Sequence, residues 1–243
     1  MNEATARKLL DLNRLFYQTF ALQFSATRGR IQPGVQRVVE KLPLDARVLD
    51  VGCGNGELWR FLQTQGYRGE YVGVDFSVEL LQEARKRAEE GNGPGGAFFF
   101  QADLAKEGWT ERLPDGRFDI ALAFAVLHHL PGEQLRMQAM RQVHELLKPD
   151  ARLFLSNWQF LKSERLRNRI QPWERIHLTS EDVEPGDHLL DWRRGGYALR
   201  YVHHFSEAEL GSLAQATGFR VLDTFYSDGK GGRLGIYQEW GIV

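Results

Sequence analysis

Three glycines spaced two apart, Gly52, Gly54 and Gly56, follow directly on the apolar run Val48-Leu49-Asp50-Val51. Glycines after a strand let the backbone turn tightly and approach a ligand closely, and a helix starting there presents free N–H groups to it. Asp50 and Asn55 lie within the same segment. Asp75 ends the next apolar run, Tyr71-Val72-Gly73-Val74, 19 residues beyond Gly56. A carboxylate in that place can accept both hydroxyl protons of a ribose. Asp103 follows a third such run and can accept from an adenine amino group. Either aspartate alone is better read as a loop or cap residue. Three such features in order at three successive strand ends point to a nucleoside-bearing ligand. The spacing excludes two common nucleotide sites: a dinucleotide loop of the form G-x-G-x-x-G needs glycine where Glu57 stands, and a phosphate-binding P-loop needs a Lys-Ser/Thr pair that is absent.

Other reactive side chains are few. Cys53 is the only cysteine, which excludes an intrachain disulfide and a cysteine-based zinc site, and no metal is expected. His128 and His129 follow a fourth apolar run, where an imidazole can serve as a base or simply cap a turn and pack. His203 and His204 are open to the same two readings.

The elements that must hold these residues alternate. Residues 3–24 carry Leu9, Leu12, Phe16 and Phe20 at helical spacing, and a short helix is expected over 35–42. Strands are expected at 47–51, 71–75, 97–101, 118–124 and 152–156, separated by helices over 57–65, 78–90 and 133–148. Ser77 can cap the second of these, Gly66 can stop the first, and Pro149-Asp150 ends the third. The segment GNGPGG at 91–96 is a breaker. Alternation of this kind predicts a parallel sheet with helices on both faces. The pattern stops at Asn157 and resumes about fifty residues later, too long for a simple connection. There Ser206 and Glu209 form a capping box, with Phe205 and Leu210 as its staple, and two strands follow at 219–226 and 235–242. The expected organisation is a helical N-terminal lid over 1–44, a ligand-binding core over 45–156, an inserted lid over 157–204 and a closing helix and strand pair over 205–243.

The chain has 243 residues, 42% hydrophobic and 26% charged, enough for one domain with a sizeable core. Its longest apolar run, Ile120–Leu127, is far short of the roughly 20 residues that span a bilayer. No secretory signal is visible at the N-terminus, so a soluble cytoplasmic protein without a membrane partner is expected. The net charge of −1 excludes a strongly basic nucleic-acid scaffold but not a local basic surface. Positive excess sits in residues 1–47, with eight Lys/Arg against four Asp/Glu, and in residues 160–176, with five against two.

On Asp50-x-Gly52-x-Gly54-x-Gly56, Asp75, Asp103, the segment Phe118–Leu130 and the turn Leu146–Asp150, the sequence resembles the class I S-adenosylmethionine-dependent methyltransferases. The resemblance implies an α/β fold with a Rossmann-like seven-stranded sheet, last strand antiparallel, and S-adenosyl-L-methionine as cofactor. It places Gly52, Gly54, Asn55 and Gly56 around the methionine end with Asp50 near its amino group. Asp75 and Phe76 then take the ribose, Asp103 and Leu104 the adenine, and Ala123 and Phe124 the methionyl side. The fourth strand ends in Ala123-Phe124-Ala125, which departs from the Asn/Asp-Pro-Pro-aromatic motif of amino methyltransferases, and the one cysteine lies in the cofactor loop. Those two facts exclude N-methylation through that motif and covalent attack on a pyrimidine.

The flanks Phe24–Arg28, Ala125–His129 and Leu199–Leu210 look like the tRNA wobble-uridine carboxymethyl methyltransferases, which esterify a carboxylate on C5 of uridine. Such a nucleophile is already ionised and needs no base. An arginine clamp would suit such a substrate, and Arg200 and Arg28 in the matching segments are its candidates, with Tyr201 to stack on or hydrogen-bond the base; His129, which follows the fourth strand, is the candidate base. It admits tRNA as methyl acceptor and a small partner subunit. Two other readings remain. The core would serve a small-molecule O- or N-methyltransferase, whose pocket would be lined by Trp158, Phe160, Trp173, Trp192 and Tyr197. It would also serve a non-catalytic adenosylmethionine-binding module.

Overall fold

A computed structural model describes residues 1–26, 30–90 and 95–243. Arg28 and most of the 91–96 breaker lie outside the described residues, so the expectations for them are not addressed by it.

The core is a seven-stranded sheet. Its strands are β1 (Val48–Val51), β2 (Glu70–Asp75), β3 (Gly96–Gln101), β4 (Phe118–Phe124), β5 (Leu147–Trp158), β9 (Phe219–Ser227) and β10 (Gly235–Ile242). They lie in the order β3-β2-β1-β4-β5-β10-β9. The first five pair in parallel, and β10 is antiparallel to both neighbours. The strands β1 and β4 are buried on both faces, which is why they read as near-continuous apolar runs. Crossovers run through α3 (Glu57–Thr64), α4 (Val78–Glu90) and α5 (Glu133–Glu145), and α7 (Glu207–Ala216) precedes the closing strands. Two apolar layers form, one on each face. One joins Leu49, Leu153 and Trp240 to α5 and α7, and the other joins Val48, Tyr71 and Tyr237 to α3 and α4.

The fifth strand begins earlier than its pattern suggests. Residues 146–150 do not end a helix before a short strand; α5 stops at Glu145 and β5 starts at Leu147. Phe118 pairs Leu147 while Ile120 pairs Arg152, so Pro149 and Asp150 bulge out of the ladder. Proline lacks the N–H that a regular ladder there requires, and a bulge satisfies it.

The caps behave largely as their residues demand. Ser77 Oγ accepts from Leu80 N–H at 3.2 Å, and Ser206 Oγ accepts from Glu209 N–H at 3.1 Å. The second box is only half formed, because the Glu209 carboxylate turns to His203 Nε2 at 2.7 Å instead of closing on the cap.

Residues 157–204 hold the main surprise. Their body is a second, three-stranded antiparallel sheet, β6 (Ile170–Gln171), β7 (Asp187–Trp192) and β8 (Ala198–His203), with α6 (Glu164–Arg167) and short helical turns around it. Its strands are short and interrupted by charged loops, which left no long alternating run to read. The N-terminal helix α1 (Glu3–Ala26) packs on β8 and departs from helical geometry at Phe20. Leu9, Phe16 and Phe20 are buried as expected, but Leu12 is only half-buried; the buried face turns toward Asn13 and Tyr17. Asn13 is the reason. Its side-chain amide accepts from Tyr201 N–H at 2.8 Å and donates to the carbonyls of Tyr201 at 3.1 Å and His129 at 3.2 Å. One buried amide thereby joins α1, the small sheet and the loop after β4. The remaining short helix, α2 (Pro33–Val39), starts with proline at its first turn and packs on β9.

Candidate active site

A cavity of about 260 Å³ opens at the carboxyl ends of β1, β2 and β4, where ligands bind in open α/β sheets. Every glycine-loop residue singled out from the sequence except Gly56 lines it, together with Asp75, Phe76, Asp103, Leu104 and Phe124. Ala123 lies one residue deeper, fully buried in the sheet core.

The loop needs its glycines for different reasons. All three have φ between +54° and +77°. At Gly56 a β-carbon would sit 3.0 Å from Ala84 Cβ, so the glycine lets α3 and α4 approach. At Gly54 a β-carbon would meet nothing within 4 Å, and that open side faces the cavity. Glu57, whose presence breaks the dinucleotide spacing, is buried and held by Arg60 and Arg87, with Arg87 at 2.7 Å.

Asp75 is fixed by backbone donors: Oδ2 accepts from Gly54 N–H at 3.0 Å and Oδ1 from Ser77 N–H at 2.9 Å. The carboxylate is oriented yet keeps acceptor capacity for a ribose hydroxyl. Burial raises its pKa, and the hydrogen bonds from Ser77, Gly54 and Phe76 N–H oppose the rise. Asp50 is 3% exposed and accepts a hydrogen bond from the Tyr71 hydroxyl. Burial pushes its pKa up to about 7; the Tyr71 bond works against this and the nearby Asp75 charge adds to it. Asp103 accepts from Ala105 N–H at 3.1 Å and from Arg14 Nη2 at 2.5 Å. Arg14 reaches it from α1, so the N-terminal helix closes over the third strand end. An acidic, concave site with an open glycine side and an oriented ribose acceptor fits a cationic adenosyl ligand.

The residues near the reacting end divide. His129 lines the cavity, with Nε2 2.7 Å from the Tyr17 hydroxyl and Nδ1 3.4 Å from the Tyr201 carbonyl. A proton on Nδ1 directed at that carbonyl leaves Nε2 to accept from Tyr17. His128 does not share the cavity; it is buried with Nδ1 3.4 Å from Trp158 N–H. Tyr201 is fully buried, its hydroxyl donating to Asp187 Oδ1 at 2.6 Å, so it cannot stack on a base. Its alternation along β8 points it into the joint with α1. Arg200, the next residue back, points to the other side. It is 7% exposed, with its guanidinium 5.0 Å from the Trp158 ring, 5.3 Å from Phe16 and 5.8 Å from Trp192. Arg200 is not among the residues that line the cavity. His203 is likewise away from the cavity, bridging Asp187 at 2.6 Å and Glu209 at 2.7 Å. Burial lowers its pKa, but those two acceptors outweigh it and the net direction is up. The aromatic side chains expected to line one pocket under the lid are dispersed. Phe160 is core, Trp173 and Trp192 belong to separate clusters, Tyr197 is 53% exposed, and none of the five borders the cavity.

Several cavity residues carried little sequence signal. Asn13 and Tyr17 share the i, i+4 face with Leu9, and two polar-tipped residues on a buried stripe were the available hint. Arg14 had none. Ala125 has φ +58°, a left-handed conformation costing a non-glycine residue about 1–2 kcal/mol. Its N–H is held by the Ser156 carbonyl at 3.0 Å, and the turn swings Phe124, Ala125 and Val126 onto the cavity wall. Strain of this kind persists where the surroundings over-determine it, commonly at functional sites.

The fold and this site define a class I S-adenosylmethionine-dependent methyltransferase. A family profile described as a methyltransferase domain matches residues 24–224, and the chain belongs to that family. It is 30% identical to a methyltransferase of Encephalitozoon cuniculi, over 86% of this chain and 87% of that one. It is 26% identical to the tRNA (carboxymethyluridine(34)-5-O)-methyltransferase of Schizosaccharomyces pombe, over 86% of this chain and 89% of that one. Among solved structures, it matches a SAM-dependent methyltransferase from Methanosarcina mazei with TM-score 0.68 at 24% identity, covering 88% of this chain and 98% of that one. It matches the 1,6-didemethyltoxoflavin-N1-methyltransferase of Burkholderia thailandensis with TM-score 0.67 at 20% identity, covering 100% of this chain and 91% of that one. Among the described residues no helix is long and apolar enough to cross a membrane.

Proposed function

We propose that this enzyme methylates a carboxylate oxygen on the C5 substituent of a wobble uridine in tRNA. When bound, S-adenosylmethionine supplies an electrophilic methyl group, and the displacement needs the nucleophile in line with it. Asp75 would hold the ribose hydroxyls, Asp103 the adenine amino group and Asp50 the methionyl ammonium. The observation that carries the reading is the state of His129. It is the imidazole on the cavity wall, and its Nε2 is already engaged with Tyr17 at 2.7 Å. To take a proton from an acceptor it would have to give up that hydroxyl. A carboxylate arrives ionised and makes no such demand. Arg200 supports the same chemistry, since a planar guanidinium held among three aromatic rings is pre-aligned for a carboxylate or phosphate. The name of the Schizosaccharomyces pombe relative, matched over nearly all of its length, agrees with it.

The test is transfer of label from methyl-tritiated S-adenosylmethionine to unfractionated tRNA and to tRNA bearing carboxymethyluridine, with cofactor binding measured alongside. Label in RNA that mild alkali releases is a methyl ester and is the expected result. Label that survives alkali places the methyl on another atom and overturns the carboxylate reading. Absence of label with normal cofactor binding, also when a candidate small partner subunit is added, shifts the acceptor to a small molecule.

A further inference from the structure

We infer that the outer end of the small sheet is an RNA-binding surface, made by Arg169, Arg175, Arg194 and Tyr197. The inference rests on the tRNA reading above and says where the rest of that substrate lies.

Three observations carry it. First, the charge there is unmatched. Among the described residues, none of Arg169, Arg175 and Arg194 is within ion-pair distance of a carboxylate, and Arg175 and Arg194 are exposed. Only two acidic side chains, Glu164 and Glu174, share their segments. Second, two of the three acids in the stretch Glu181-Asp182-Val183-Glu184, whose charge would repel RNA, are already engaged. Glu184 pairs with Arg136 of α5 at 2.8 Å, and Asp182 accepts from Thr179 N–H at 2.7 Å. Two further acids of the insertion are turned inward: Asp187 is spent on Tyr201 and His203, and Asp191 on Arg193. Third, an aromatic ring stands among the cations. Tyr197 is 53% exposed at the β7–β8 turn, with the Arg175 guanidinium 5.6 Å from its ring centre. Basic side chains interleaved with an exposed aromatic ring track phosphates and stack a base, as single-stranded nucleic-acid sites do.

The surface adjoins α1, whose Asn13, Arg14 and Tyr17 border the cavity. Gly196 in the same turn lies against Phe20 of α1, where a β-carbon would be 3.1 Å from the ring. Tyr197 directly precedes β8.

The test is fluorescence anisotropy with labelled unfractionated tRNA at several salt concentrations, on the full chain. The variants are the double substitution Arg175→Ala with Arg194→Ala, the same pair to lysine, and Tyr197→Ala. None of these residues borders the cofactor cavity, so unchanged cofactor affinity certifies the fold. The alanine pair is expected to weaken tRNA binding about tenfold at 100 mM salt and to flatten the slope of log K against log salt by about 1.5. The lysine pair should restore most of the slope. Tyr197→Ala should weaken binding about tenfold with the slope kept, because stacking releases no counterions. Tight tRNA binding by the wild type that none of the variants alters would overturn the surface and leave the tRNA reading standing. Polyglutamate competing as well as tRNA would overturn it too, marking a general anion site. A wild type that binds no tRNA at low salt would remove the tRNA reading itself.

Discussion

Asp50 makes cofactor binding a proton-linked event. In the ligand-free protein its carboxyl is buried, and its pKa stands at about 7. A cationic ammonium placed beside it favours the ionised form and lowers that pKa in the complex. The free protein therefore holds a proton that the complex releases. Binding must strengthen as pH rises toward 7, by up to about tenfold per unit, and flatten above 7. At pH 6 about nine in ten carboxyls are protonated beforehand, so nearly one proton should leave per cofactor bound. Calorimetry at pH 6 in phosphate and in imidazole reads this directly, since the two buffers differ in ionisation heat and the apparent enthalpies must diverge. Asp50→Asn keeps the shape and the Tyr71 partner; it should abolish the divergence and weaken binding at pH 7.5 by about 1.5–3 kcal/mol, the range for a hydrogen bond to a charged group. The same shift acts on folding with a worked sign. The folded pKa is raised above the ordinary value of 3.8, so this carboxyl's contribution to stability is complete below pH 3.8 and is lost as pH rises to about 7. The loss approaches roughly 4 kcal/mol, and Asp50→Asn should recover part of it at neutral pH. Identical enthalpies in both buffers, with affinity flat from pH 5.5 to 7.5, would refute the placement of the ammonium at Asp50.

Other perturbations follow from the geometry. Asp75→Ala should weaken cofactor binding by about 1.5–3 kcal/mol, read by calorimetry; unchanged affinity would remove the ribose assignment. Arg200→Lys retains the charge but loses the planar face that three rings grip, so turnover should collapse while cofactor affinity stays within about twofold. Equal loss of both would put Arg200 in the fold and not in the acceptor site. Asn13→Ala leaves the buried groups of Tyr201 and His129 without their amide partner and should cost about 1–3 kcal/mol of stability by denaturant unfolding. It should also raise proteolysis within α1, and a wild-type digestion pattern would refute the clamp.

Periodicity and loop chemistry made the core legible, because both are local. Apolar runs such as Val48–Val51 and Phe118–Phe124 must be buried on both faces, and glycines at 52, 54 and 56 are needed wherever the chain must turn with positive φ. The aspartates at strand ends fell where a right-handed parallel sheet collects them, and Asp50, Asp75 and Asp103 line one cavity. The small sheet could not be read from spacing, since β6 is two residues long and meets its partner β7 only after a connection of fifteen residues. The acceptor side was less legible for a further reason: which face a side chain presents is decided by packing, not by type. Adjacent residues on β8 went opposite ways, Arg200 into an aromatic cage and Tyr201 into the seam with α1. Asn13, Arg14 and Tyr17 became part of the cavity only because α1 folds back over strand ends more than a hundred residues away in places. What the amino-acid order determined alone was the cofactor chemistry, through short-range patterns. What only the tertiary structure decided was the company each reactive side chain keeps, because burial and hydrogen-bond partners come from segments distant in the chain.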